Sequence, residues 1–564
     1  MSSLRSNFEP GTTRWAVRRS QWRAMGIAEE DLDKPKIAVV NSSSSLSVCY
    51  QHLDDISVLV QEAIRASGGL PFEIHTVAPS DFVTSAGREA RYLMPSRDLI
   101  VNDIEVAVEG AVLDGMVCLA SCDKTTPGQL MAAGRLNVPT IVVICGYQTG
   151  GVCGGRTVDI DDVYESVGSV AAGTMTIDEL AEMADCAITG PGVCAGLGTA
   201  NTMHILCEAL GMSLTGSAPI RADSPRMREL ARRSGERIVS LVLDHVRPRD
   251  IITGASIENA VVAALAVCGS VNAARHLQAI AVEAGVDINV YDLIASHAED
   301  VPQLCAVRPN GVHTMEQLER AGGAAALLAQ LRQLLHLDAL TVDGSTRGEL
   351  CDPASVLDDD VVRPVDRAYS DRPGLILIRG SLAPGGALVK LSAVPPDRLT
   401  FRGPARVFAS EQEAITALDG TVKAGDVVVL RGLGPLGGPG TVFAASFVAA
   451  LNGAQLAGDV AVVTDGELSG LNRGLTIGQV MPEAAEGGPL ALVEDCDVIS
   501  IDLEADGATI DLDVPADELR DRQRRWSPPP VPTERSWLTL YRQLVQPLSM
   551  GAVLGAPVSS EEPR

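Results

Sequence analysis

Between Ser121 and Gly128 the chain reads Ser-Cys-Asp-Lys-Thr-Thr-Pro-Gly, placing a thiol, a carboxylate and an amine in consecutive positions. The run closes GMVCLASC (115–122), an apolar stretch with the composition of a buried strand, so the three groups would emerge at a strand tip. A thiolate is a soft metal ligand and a carboxylate a hard one, and side by side they suit two neighbouring metal centres. Two other cysteines have comparable settings. Cys49 follows NSSSSLSV and precedes a helical pattern, and Cys194 lies in GPGVCAGLGTANTM (190–203), a glycine-rich loop leading to a helix. The competing reading for each is a small buried loop cysteine, and about nine of the twelve cysteines are expected to be that.

These groups need a scaffold. KIAVVNSS (36–43), GMVCLASC and TIVVICG (140–146) are short β-branched runs ending in small or polar residues, as buried parallel strands do where their carboxyl ends open into functional loops. Residues 53–67 form a helical pattern with Leu53, Val58, Val60, Ala63 and Ile64 assigned to one face and Gly68-Gly69 ending it; a second helix is expected over 96–113. Residues 1–365 therefore read as an α/β domain with a parallel sheet. The proline-bearing stretch 361–374 is a plausible connection. Residues 366–564 then read as β-rich, a barrel-like or sandwich domain carrying LILIRGS, GALVKLS, DVVVLRG and DVAVVTDG. Asp506-Gly507 sits between two alternating runs as a hairpin turn.

Composition bounds the function. The 564 residues are 46% hydrophobic and 21% charged, with a formal net charge of −27. Such acidity disfavours nucleic acid as a partner. No apolar run reaches the roughly 18 to 20 residues of a membrane helix. The basic N-terminal segment lacks the apolar stretch of a secretory signal, and the cysteines show no disulfide framework, so a cytoplasmic protein is expected.

The cysteine motifs, together with KIAVVNSS…CYQHLDD, GGLPFEIHTVAPSD, RYLMPSRDLI, SLAPGGALVK, TDGELSG and MPEAAEGGPLALV, resemble the dihydroxy-acid dehydratase and phosphogluconate dehydratase family, which includes sugar-acid dehydratases. The resemblance covers nearly the whole chain. It implies that Cys49, Cys122 and Cys194 hold an iron–sulfur cluster, with Cys49 favouring [2Fe–2S], and that three protein ligands leave one iron open. It further implies Mg2+ on Asp81, Asp123 and Lys124, the last as a carbamate; a simple ion pair with an acid is the alternative for Lys124. Ser469, in DGELSG, matches the proton-abstracting serine. A homodimer is expected from the family.

The chain departs from that pattern at two places. Ungapped alignment puts Phe443 where the family has a magnesium-binding glutamate, and Phe82 follows Asp81 where relatives tend to have glycine. The two rings could pack together. Glu467, where relatives usually have a basic residue, is a candidate replacement ligand; the alternative is a solvated turn residue. The leading expectation is dehydration of a small 2,3-dihydroxy acid to a 2-keto acid. The default substrate is 2,3-dihydroxyisovalerate, of valine and isoleucine synthesis. The alternatives are a sugar-acid dehydratase, a specialised biosynthetic dehydratase, and an inactive paralogue that keeps the cluster for binding or regulation.

Overall fold

The strand runs read from the sequence form one sheet. β1 (Lys36–Asn41), β2 (Leu70–His75), β3 (Gly115–Ala120) and β4 (Thr140–Ile144) lie in the order β2-β1-β3-β4, every pair parallel. β1, β3 and β4 are buried along their full length, which is why they appear as unbroken apolar runs. β2 is an edge strand with alternating exposure beyond Pro71 and was not legible as a strand. The computed structural model describes residues 4–555 except 88–89, 439–444, 469–472, 505–506 and 532. Ser469, Phe443 and Asp506 therefore lie outside the described residues.

The expected helices are Leu53–Ala66 and Leu93–Ala111. One face assignment needs correction: Val58 is 52% exposed, and Ile56 lies in the buried stripe with Leu53, Ser57, Val60, Ala63 and Ile64. That stripe follows helical i, i+3, i+4 spacing, which Val58 breaks. The strand–helix alternation also stops early. Beyond the small hairpin of β5 (Gly151–Cys153) and β6 (Arg156–Val158), residues 160–351 contribute helices and connecting segments. Three of them, Thr199–Leu210, Gly254–Val267 and Asn272–Ala284, are almost wholly buried.

The second half is an eight-stranded, nearly closed barrel of β7 (Leu375–Ile378), β8 (Gly386–Lys390), β9 (Thr400–Phe408), β10 (Val427–Leu430), β11 (Ala461–Thr464), β12 (Thr476–Met481), β13 (Val498–Asp502) and β14 (Thr509–Leu512). The order is β14-β13-β9-β10-β11-β12-β8-β7, with β9 to β12 parallel and the flanking pairs antiparallel. A bridge between Arg379 and Thr509 joins the first strand to the last. The expected hairpin is β13–β14, with Ile501 opposite Ile510.

Period-two alternation attaches the barrel to the first half. Val427, Val429, Ala461 and Val463 pack in the barrel interior, whereas Val428, Leu430 and Val462 belong to the large core shared with the first sheet. Among the described residues no helix is long and apolar enough to cross a membrane.

Candidate active site

Apart from Cys194, the groups singled out in the first half come from segments beyond the carboxyl ends of parallel strands, where an open α/β sheet leaves its crevice. Cys49 follows β1, Asp81 follows β2, and Cys122, Asp123 and Lys124 follow β3. The chain leaving β4 then builds the third thiol's support. Gln148 N donates to Val193 O at 2.8 Å and Val193 N to Gly146 O at 3.0 Å, tying the Cys194 loop to the β4 exit.

Cys49, Cys122 and Cys194 line one cavity of about 330 Å³, together with Asp81 and Asp123. Ser121 Oγ donates to Cys49 O at 2.6 Å, bracing the first two thiol loops against each other, and Thr125 Oγ1 donates to Cys122 O at 2.9 Å within the second. Ser47 Oγ lies 2.8 Å from Cys49 Sγ, and Ser80 Oγ 3.5 Å from it. The adjoining Cys122 thiol works against burial, and with these hydroxyls it pulls the Cys49 thiol below its ordinary value, favouring the thiolate that binds metal. The donor set, three converging sulfurs in a largely apolar cavity, fits an iron–sulfur cluster.

Asp81, Cys122 and Asp123 bring their ligand atoms within 4.8 Å of one another. Asp81 is fully buried, and its Oδ1 has no hydrogen-bond partner among the described residues. Burial and the charge of Asp123, opposed by Lys124, push its carboxyl well above the usual range. Two converging carboxylates with an orphaned oxygen are what a hard divalent cation relieves, so these residues fit Mg2+.

Glu467 settles one of the alternatives left by the sequence. It is not a solvated turn residue: it is 2% exposed, at the carboxyl end of β11, with Asp465 anchoring the turn. Asp465 accepts N–H bonds from Gly432, Leu433 and Ala484 at 3.0, 2.9 and 2.9 Å. Glu467 pairs with Arg275, and its Oε2 lies 3.3 Å from Lys124 Nζ. Burial raises its carboxyl pKa, but Arg275 and Lys124 outweigh that and hold it below the ordinary value. Lys124 Nζ is also 3.4 Å from Asp81 Oδ2. Burial lowers the amine's pKa, yet Asp81, Glu467 and Asp123 prevail and keep it raised.

Phe82 lines the cavity mouth with Leu46, Val83, Ile160, Ile188 and Pro309. Its ring faces Tyr164, centroids 6.0 Å apart; Phe443, the other ring in question, is outside the described residues. Of the nine cysteines expected to be buried hydrophobes, six are: Cys153 and Cys186 are half-buried and Cys496 is exposed.

Several supporting residues were missed. Asn201 Nδ2 donates to Cys194 O at 2.8 Å, and His204 Nε2 donates to Ser121 O at 2.9 Å, so one buried helix holds two of the thiol loops. Burial drives His204 down to about 4 against that carbonyl bond, leaving a neutral ring that donates from Nε2. Asp161 also faces the cavity; burial and the neighbouring Asp159 push its carboxyl up to about 8. The available signal was polar residues inside otherwise apolar helical runs, as in ANTMHILCEAL.

Comparison with known proteins resolves what scaffold this is. A family profile described as Dihydroxy-acid/6-phosphogluconate dehydratase N-terminal matches residues 34–350, and its C-terminal counterpart matches 360–552. The chain belongs to this family. A Pyrococcus abyssi protein named dihydroxy-acid dehydratase is 44% identical over 541 residues, 95% of this chain and 97% of the relative. Proteins of the same name from Caldicellulosiruptor saccharolyticus and Ruminiclostridium cellulolyticum are 42% and 40% identical, covering 96% and 98% of this chain and 98% and 100% of their own lengths.

Proposed function

We propose that the protein is a hydro-lyase that removes water from a 2,3-dihydroxy carboxylic acid to give a 2-keto acid, with 2,3-dihydroxyisovalerate, a precursor in valine synthesis, as its substrate. The observation that carries this is a single cavity holding three thiols and three acids beneath an apolar rim. Cys49, Cys122 and Cys194 would hold a [2Fe–2S] cluster, and Asp81, Asp123 and Glu467 would hold Mg2+. Bound there, the two groups would supply Lewis acidity toward the C3 hydroxyl on one side and the carboxylate and C2 hydroxyl on the other.

The chain's own residues do the rest. Ser469 takes the proton from C2, and the enol left by loss of water tautomerises to the keto acid. Glu467 replaces the glutamate lost at position 443; its burial beside Lys124 and Asp81 supports that role. Unmodified, Lys124 is an ammonium that partners both Asp81 and Glu467. As a carbamate it would add a third negative charge, tolerable only with a cation between them. The apolar rim favours a branched alkyl tail over a polyol, whose hydroxyls would lose water without gaining partners there. The same reading carries a domain boundary near residue 365, a homodimer and a cytoplasmic location.

The test is keto-acid formation by anaerobically purified, cluster-loaded protein with Mg2+, offered 2,3-dihydroxyisovalerate beside several sugar acids. Turnover of the branched acid, and its loss by ~10²–10⁴-fold in Ser469→Ala, supports the reading. Turnover of a sugar acid alone replaces the substrate, and silence from fully loaded protein points to a binding or regulatory paralogue.

A further inference from the structure

One side chain in the first half grips the backbone that leads into Ser469. Asn272, 3% exposed, begins the helix Asn272–Ala284. Its Nδ2 donates to Leu468 O at 2.6 Å, and its Oδ1 accepts from Leu468 N at 3.3 Å. The amide thus meets Leu468 as a neighbouring strand would, holding both its carbonyl and its N–H. That carbonyl belongs to the peptide bond joining Leu468 to Ser469.

The amide's remaining capacity is also used. Nδ2 donates its second proton to Thr199 Oγ1 at 3.1 Å, and Oδ1 accepts from Gln479 Nε2 at 3.4 Å. An asparagine side chain has two donor protons and two acceptor lone pairs, and all four are engaged. Both of its neighbours constrain the site: Thr199 lines the thiol cavity, and Gln479 N donates to Gly466 O at 3.1 Å, fixing the other end of the same turn. Asn272 therefore links the cavity wall to the segment 466–468 through one rigid planar group. A residue recruited merely to fill space would not need an amide matched on every edge.

We propose that Asn272 is a positioning residue for the reaction: by holding both backbone groups of Leu468, it fixes the backbone from which Ser469 continues relative to the thiol cavity. This rests on the reading of Ser469 as the group that takes that proton. Because the Asn272 amide bonds Leu468 and none of the thiol loops, its removal should change the chemical step and not cluster binding, and assays at saturating Mg2+ offset any effect passed through the neighbouring Glu467.

The experiment compares Asn272→Ala, Asn272→Ser and Asn272→Asp with wild-type protein, all purified anaerobically and normalised to iron content, on 2,3-dihydroxyisovalerate with hydrogen or deuterium at C2. Misplacement of a reacting group by about 1 Å costs roughly 10²-fold, so kcat per cluster should fall by that order in Asn272→Ala while KM stays within about threefold. The isotope effect on kcat should rise, because C–H cleavage becomes the slow step, and cluster absorbance should be unchanged. Asn272→Asp keeps the acceptor but sets a carboxylate oxygen against Leu468 O, so it should do no better than Asn272→Ala. Asn272→Ser keeps a small polar group if the alanine variant fails to fold, and should show the same split. Unchanged kcat per cluster and isotope effect in the variants, with only melting temperature or iron loading reduced, would overturn the proposal. Full activity in Ser469→Ala would instead overturn the reading beneath it, whatever the Asn272 variants do.

Discussion

The thiol wall and the charged pocket behind it share the segment 121–124, but different forces hold them. On the thiol side, Cys49, Cys122 and Cys194 sit on loops braced by local backbone bonds and by Asn201 and His204 of one buried helix, all within the first half. On the charged side, Lys124, Asp81, Glu467 and Arg275 come from four segments spanning both halves, and each is buried against a charge of opposite sign or beside one. Loop bracing survives a changed side chain nearby. A buried charge network does not, because removing one partner leaves another uncompensated. The thiol wall can therefore stay fixed while the charged pocket is rearranged, as the proposed replacement of a carboxylate at position 443 by Glu467 requires.

The sharpest break in that comparison is Cys122→Ala. It removes a sulfur from the wall while leaving Asp123 and Lys124 in place. Loss of the cluster removes several kcal/mol of charge stabilisation from the departing hydroxyl, so activity should fall on the order of 10³-fold or more. Visible absorbance should vanish with it, while Mg2+ affinity, read by titration calorimetry, stays near its wild-type value. Loss of both together would show that the two faces are one unit.

Glu467→Gln tests the other face. Its amide keeps the shape but frees Lys124 and Arg275 of their buried counter-charge. Mg2+ binding should weaken by about 10–100-fold, with kcat restored at high Mg2+ and cluster absorbance intact. If Mg2+ affinity does not change, Glu467 is an internal counter-ion only and the metal has another third ligand.

The same contrast explains what could be read from the chain. β1, β3 and β4 were visible because central parallel strands are buried on both faces and show as apolar runs; edge strand β2, with Pro71 and alternating exposure, was not. The thiols were legible as short motifs because each is placed by its own loop. Glu467 could be read only as a pair of alternatives, since the residues that bury and charge-match it, Arg275 and Lys124, are distant in sequence. Asn272 and His204 carried only an ambiguous mark: a polar residue in an apolar helix ordinarily signals a solvent-facing flank, and only tertiary packing turns it inward.

The smallest expected effect lies where the two faces meet. Phe82 follows Asp81 in sequence and lines the thiol cavity, so it joins a proposed magnesium ligand to the apolar rim. At 38% exposure it offers only part of its ring to a bound tail. Phe82→Ala should therefore shift discrimination and leave the machinery intact: kcat/KM for 2,3-dihydroxyisovalerate relative to a four-carbon sugar acid should drop by about tenfold, the scale of losing a methylene or two of contact. Mg2+ affinity and cluster absorbance should both be unchanged. A fall in Mg2+ affinity would mean the ring holds Asp81 in place and belongs to the charged side. A fall in discrimination alone places it with the apolar rim, and leaves substrate choice resting on the part of the cavity that neither metal occupies.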